Sequence, residues 1–160
     1  LQHSSTFVNA LMHIQNPIWG VCIGMLFTAL IQSSSASIGI LQILASKQLI
    51  SFHQAVYLIL GFDLGTCITG FLASLKGSRN GKRLALFHFL FNVVGAISFL
   101  IISQMIPLID WIAGWTPLSP LHQIANMHTF YNMMTTFIVL LCEPYLIQTI
   151  QWIYPYHHKK

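Results

Sequence analysis

The sequence predicts an all-α integral membrane protein, built from a re-entrant helical hairpin and three transmembrane helices, one of them broken. Three observations carry that expectation. Of 160 residues, 55% are hydrophobic and only 6% charged, whereas a soluble domain carries about 25% charged residues. Three runs are apolar for long enough to cross a bilayer. Ahead of them stand two shorter apolar runs with the polar stretch Gln32-Ser33-Ser34-Ser35 between them.

Taking the elements in order, residues 1–16 are mildly amphipathic and end at Pro17, which suits an interfacial or packing helix. Residues 17–46 form the expected hairpin. A span needs about 20 apolar residues, because the hydrocarbon core is about 30 Å thick and a helix rises about 1.5 Å per residue. Ile18 to Ile31 gives 14 and Ala36 to Ala45 gives 10, so neither arm crosses alone. A single long helix with serines at its centre is the alternative, since serine bonds back to the carbonyl four residues earlier. Three serines beside a glutamine, however, leave that turn without an apolar face, and irregular backbone at membrane depth is tolerated where protein or a water-filled cavity surrounds it. The hairpin, tipped by Gln32 to Ser35, is the better fit.

Residues 54–146 hold the three spans: Ala55 to Leu75, Leu84 to Ile106 and Ile124 to Cys142. Residues 108–123, with Pro117 and Pro120, read as a loop with one short helix. The linker 76–83 carries Lys76, Arg79, Lys82 and Arg83, and the tail 147–160 ends in Lys159 and Lys160, which puts six of the seven Lys and Arg on one side. By the positive-inside rule that side is cytoplasmic. The hairpin, whose ends share the side of Lys47, then enters from outside. Trp111, Trp115 and Trp152 fall at span ends, as an aromatic belt would place them.

Chemistry concentrates at two interruptions. In Gly61-Phe62-Asp63-Leu64-Gly65-Thr66 two glycines bracket an acid inside the first span, with Thr69 one turn later. Glycine costs about 1 kcal/mol against alanine in a helix and a mid-bilayer aspartate about 2.5 kcal/mol or more. A helix break there would free backbone groups for ions, while close helix packing is the plainer reading of the glycines. The Gln32 to Ser35 tip offers hydroxyls, an amide and the N–H groups of a helix start, a set that suits an oxyanion together with a small hard cation. No histidine and carboxylate pair stands near these serines, so a serine hydrolase is not indicated and no enzyme is expected. The three cysteines, Cys22, Cys67 and Cys142, have neither metal-ligand nor disulfide spacing and read as small packing residues. Nothing resembles a nucleic-acid binder.

The stretches TALIQSSSASIGILQILASKQLIS, ILGFDLGTCITGFLAS, NGKRLALFHFLFNVVGAI and IANMHTFYNMMTT resemble, in order, signatures of the type II sodium-phosphate cotransporter family in its bacterial branch. The likeness covers roughly Asn16 to Pro144. It implies a transporter of two inverted repeats, each with a QSSS-tipped hairpin, with phosphate and sodium meeting near the midplane. This chain, with one QSSS, looks like the C-terminal repeat and implies a second QSSS repeat as partner, from an N-terminal half or another chain. Gln32, Ser33, Ser34 and Ser35 match the QSSS motif, and Gly61, Gly65, Thr66 and Thr69 match the family's GxNIGTxxT. Asn92, His128 and Asn132 resemble polar positions facing the core. The implied ligands are inorganic phosphate and sodium, the latter as coupling ion at Gln32, Ser34, Asp63 and Thr66, with no other cofactor. Asp63 stands where the family usually has Asn. Ionised, it would repel phosphate and attract sodium, so it is protonated, faces a cation, or the substrate is another anion. A membrane-bound sensing or assembly module derived from the same fold is the alternative to transport.

Overall fold

A computed structural model describes residues 16–155. The helix expected over 1–16 lies outside the described residues, apart from Asn16. Six helices follow: α1 (Pro17–Ile31), α2 (Ser34–Ser46), α3 (Phe52–Ser74), α4 (Arg79–Met105), α5 (Leu108–Ala113) and α6 (Pro120–Ile153). Helix starts carry local signals. Asn16, Ser33, Ser51, Ser78 and Ser119 each accept a first-turn backbone N–H, and Ser51 with Gln54 completes a capping box. Helices α3, α4 and α6 are long and apolar enough to cross a membrane, whereas α1 and α2 are shorter. Three such helices in one chain are the make-up of a multi-pass membrane protein.

Helix α3 is the most buried of the three long helices and the others are arranged about it. Its main partner is α1, and the two run parallel. Gly24 lies against Leu58 and Gly61, and Gly65 against Met25, Thr28 and Ala29. A Cβ on Gly61 would land on the Val21 carbonyl, and one on Gly65 on the Met25 carbonyl. The backbones therefore touch at Gly24 on α1 and at the small-xxx-small pair Gly61/Gly65 on α3, and buried Gly20 lies one turn before Gly24. Since α1 and α3 share a direction, α2 must return between them, and the short link 47–51 brings the chain back to the start of α3. Helices α4 and α6 are antiparallel to each other: Gly95 packs on Thr135, Phe99 on Tyr131, and Arg83 bonds to Tyr154.

Two ends follow. At one, the link 47–51 meets α5 and the start of α6, with Gln42 Nε2 donating to the Leu121 carbonyl (3.0 Å) and His53 Nε2 lying 3.1 Å from Asp110. At the other, Arg79 and Arg83 reach the Pro155 and Tyr154 carbonyls, so linker 76–83 and the end of α6 are neighbours, as loop charge predicts. The tip at Gln32 and Ser33 stands between these ends, because α1, about 22 Å long, reaches only part of the way along α3, about 35 Å.

Two expectations are corrected. The first span is not broken: α3 is one continuous helix through Gly61, Asp63 and Gly65. The glycines supply close approach to α1, and Asp63 finds partners on α6, so neither residue needs a break. The helix that carries the third span does not stop near residue 146. Helix α6 continues to Ile153 through Pro144, so the tail 147–160 begins as helix. A proline removes one backbone bond, which a membrane helix accommodates where neighbouring helices and hydroxyls compensate.

Candidate functional site

The tip is built by backbone conformation. Gln32 takes the left-handed region (φ 61°) and its N–H closes α1 on the Thr28 carbonyl at 2.6 Å. That conformation disfavours residues other than glycine, so the turn is held by its surroundings. Ser33 becomes the N-cap of α2, its Oγ accepting from Ala36 N at 3.2 Å. Buried Ser37 staples the two helices: its hydroxyl donates to the Ser33 carbonyl (2.9 Å) and accepts from Thr28 Oγ1 (3.0 Å). Thr28 in turn packs on Gly65, which fixes the tip about one turn past Gly65 along α3.

The four tip residues thus separate by role. Ser33 is a structural cap. Gln32, Ser34 and Ser35 make no side-chain hydrogen bond with another described residue, and Gln32 and Ser35 are exposed. Ser34 N and Ser35 N are first-turn donors of α2, where the helix dipole favours an anion. One turn beyond Gly65, the α1/α3 register carries Thr69 toward the tip. Thr69 Oγ1 donates to the Thr66 carbonyl (2.9 Å) and Thr66 Oγ1 to the Asp63 carbonyl (2.7 Å), leaving both oxygens able to accept.

A second polar group lies around α3 from the first. At 3.6 residues per turn Asp63 sits roughly 180° from the Gly61/Gly65 face, so its side chain turns from the hairpin toward α6. Asn132 Nδ2 donates to Asp63 Oδ2 at 3.1 Å and to the His128 carbonyl at 3.0 Å, and His128 Nε2 is 3.5 Å from Asp63 Oδ1. Asp63 is only 7% exposed. Buried Asn92, from α4, donates to Cys67 Sγ (3.1 Å) and to the His88 carbonyl (3.1 Å). Cys67 Sγ is also 3.6 Å from the Asp63 carbonyl, so the two asparagines flank neighbouring turns of α3. Next to them Tyr131 Oη and Thr135 Oγ1 are buried without a hydrogen-bond partner among the described residues.

The structure therefore joins Asp63 to Asn132 directly and Asn92 to the same turn of α3 through Cys67. Gln32 and Ser34, expected beside Asp63, make no side-chain hydrogen bond to it, since Asp63 turns toward α6, and Gly65 serves as a packing position. Sequence reasoning passed over Thr28, Ser37, Cys67, Tyr131 and Thr135. For Thr28 and Ser37 the signal was present in their spacing around QSSS, and for Cys67 in its i+4 relation to Asp63 on one helix face.

Chemically the tip side offers N–H and O–H donors without a carboxylate, and the Asp63 side an anionic acceptor with an amide beside it. The first suits an oxyanion and the second a cation. Asp63→Asn tests the second. The amide keeps an acceptor for Asn132 while removing the charge, so the protein should fold normally and any stabilisation by a small monovalent cation should need roughly 10-fold more of it, the loss of one charge-assisted interaction. Melting temperature titrated against sodium chloride, with choline chloride as control, gives the value. An unchanged titration would detach the carboxylate from cation binding.

Comparison with known proteins adds independent information. The family model described as Na+/Pi-cotransporter matches residues 3–114. The chain is similar to "Uncharacterized protein YqeW" of Bacillus subtilis, 32% identical over 136 residues, 84% of this chain and 43% of that protein. It is 29% identical over 118 residues to "Putative inorganic phosphate export protein YjbB" of Escherichia coli, 74% of this chain and 21% of that protein. Human "Sodium-dependent phosphate transport protein 2B" is 38% identical over 74 residues, 45% of this chain and 11% of that protein. The chain spans less than half the length of each of these relatives. No solved structure matches it.

Proposed function

This chain belongs to the Na+/Pi-cotransporter family, and from that membership we propose that it forms one side of the substrate path of a sodium-coupled inorganic phosphate symporter working by alternating access. The observation that carries the reading is the tip. A helix start with two N–H groups, two serine hydroxyls and a glutamine amide that bond no other described residue is set about one turn past Gly65 along α3, at the level of Thr69. Phosphate takes that side, held by Ser34, Ser35 and Gln32. Sodium offsets its charge, drawing on Gln32, Ser34 and Thr66 oxygens and, across α3, on Asp63 with Asn132. Asn92 supports the Asp63 side through Cys67. Because α3 is continuous, its backbone carbonyls are occupied within the helix and side chains supply the ion ligands.

Helices α1 and α2 form a re-entrant hairpin in this reading, entering the bilayer from the end of Lys47. The linker 76–83 and the end of the chain face the cytoplasm, supported by the concentration of Lys and Arg there. The open side of the tip implies a facing wall from a second QSSS repeat, related by inversion and supplied by further sequence or another chain. The test is flux. The complete transporter, this chain together with the second repeat, reconstituted in liposomes should accumulate labelled phosphate when a sodium gradient is imposed and not when potassium replaces sodium. Equal uptake with either cation refutes sodium coupling, and absence of phosphate flux under both refutes phosphate symport.

A further inference from the structure

Between α4 and α6, at the end where Arg83 meets Tyr154, runs a groove of about 420 Å³ that the transport reading does not use. Its lining changes character along its length. Asn80, Arg83 and Gln151 stand at the mouth, and Leu84, Phe87 and Ile147 lie deeper. The order follows from the antiparallel pairing of the two helices, since going inward means ascending α4 from Asn80 and descending α6 from Gln151. The guanidinium is fixed at the mouth: Nε and Nη2 donate to the Tyr154 carbonyl (3.0 and 2.7 Å) and Nη1 to Asn80 Oδ1 (3.1 Å). Arg79 reaches the neighbouring Pro155 carbonyl, and with Lys76 and Lys82 four of the chain's seven Lys and Arg fall within eight residues. Of the three acids, Asp63 is buried against α6 and Asp110 is at the opposite end; Glu143 lies one turn of α6 beyond Ile147, away from the mouth.

We propose that this groove binds an anionic phospholipid, headgroup phosphate at Asn80, Arg83 and Gln151 and one acyl chain along Leu84, Phe87 and Ile147. The polar-to-apolar gradient matches a lipid standing along the membrane normal, and the basic mouth selects negative headgroups over zwitterionic ones, as basic pockets between membrane helices do. Leu84, 69% exposed, leaves the groove open sideways for a lipid to enter. Free phosphate has no use for the apolar half. The proposal rests on the membrane placement of α4 and α6 and is independent of what the protein transports.

The experiment measures thermal stabilisation of the purified full chain by phosphatidylglycerol, phosphatidylcholine and inorganic phosphate, together with native mass spectrometry of retained lipid. Phosphatidylglycerol should raise the melting temperature more than phosphatidylcholine and be retained as one molecule per chain. Gln151→Glu should weaken that response about fivefold, the effect of roughly one charge near an anionic lipid. Asn80→Asp, which keeps an acceptor for Arg83, should act likewise and gives an independent reading if the first variant does not fold. Lys47→Glu, at the opposite end, should leave the response unchanged. Equal responses to the two lipids, an equal loss from Lys47→Glu, or reproduction of the shift by inorganic phosphate would each overturn the proposal.

Discussion

On the proposed symport, Ser34→Ala and Gln32→Ala should each lower sodium-dependent phosphate uptake by the complete transporter roughly 10- to 100-fold, and the double variant should show no measurable uptake, while all three should fold normally. The magnitude is that of a hydrogen bond to a charged group, about 1.5–3 kcal/mol. The folding half follows from the tip geometry. Neither side chain bonds another described residue, and alanine at position 32 meets the same left-handed backbone (φ 61°) that glutamine already tolerates. Ser33→Ala behaves differently. Its hydroxyl caps α2, so that variant loses about 1 kcal/mol of stability and its transport defect travels with its melting temperature. Uptake in proteoliposomes, normalised to folded protein, separates the two classes. Normal uptake by both Ser34→Ala and Gln32→Ala would remove the tip from the substrate path.

Gly61→Val gives the largest loss of stability. Its Cβ would strike the Val21 carbonyl, and Met25 N and Gly24 Cα stand close behind. All three are backbone atoms, so no side chain can swing aside and α1 must move off α3. Overpacking of a tight interface costs about 1–3 kcal/mol even where side chains can adjust, and this site is at or beyond the upper bound. For a chain of this size that is a fall of about 6–12 °C in melting temperature. Gly70→Ala on the same helix is the control, since nothing lies within 4 Å of its Cβ, and its melting temperature should hold or rise. A Gly61→Val protein as stable as Gly70→Ala would show that the α1/α3 seam is looser than described.

What the sequence made legible was whatever one strong local signal controls. Three long apolar runs gave three long helices, the two arms too short to cross gave α1 and α2, and the pairing of linker 76–83 with the end of α6 followed from counting spans. Reading Gly61 and Gly65 together with Asp63 as a break failed because two independent needs share one stretch of helix. The glycines answer to α1 and the acid to α6, on opposite faces of α3. Only the three-dimensional arrangement separates them, although the matching Gly20/Gly24 pair was visible. The end of α6 was misjudged because Glu143 and Pro144 look like a stop, and a helix supported by neighbours passes through them. At the site, Asp63, Asn92 and Asn132 were chosen for polarity in apolar surroundings and do gather on one turn of α3. Cys67, which links Asn92 to the next turn, was read as a packing residue because its lack of metal or disulfide spacing outweighed its i+4 relation to Asp63.

The parallel seam between α1 and α3 also has a meaning in time. The two helices in closest backbone contact are separated in the chain by all of α2, so the surface that shields Gly24 does not exist when α1 leaves the ribosome. Until α3 follows, α1 and α2 lack the one surface that their glycine and threonine face fits. The order of synthesis thus makes α3 the template on which these two predecessors are seated, and a slow or faulty insertion of that one helix would leave both without their seat.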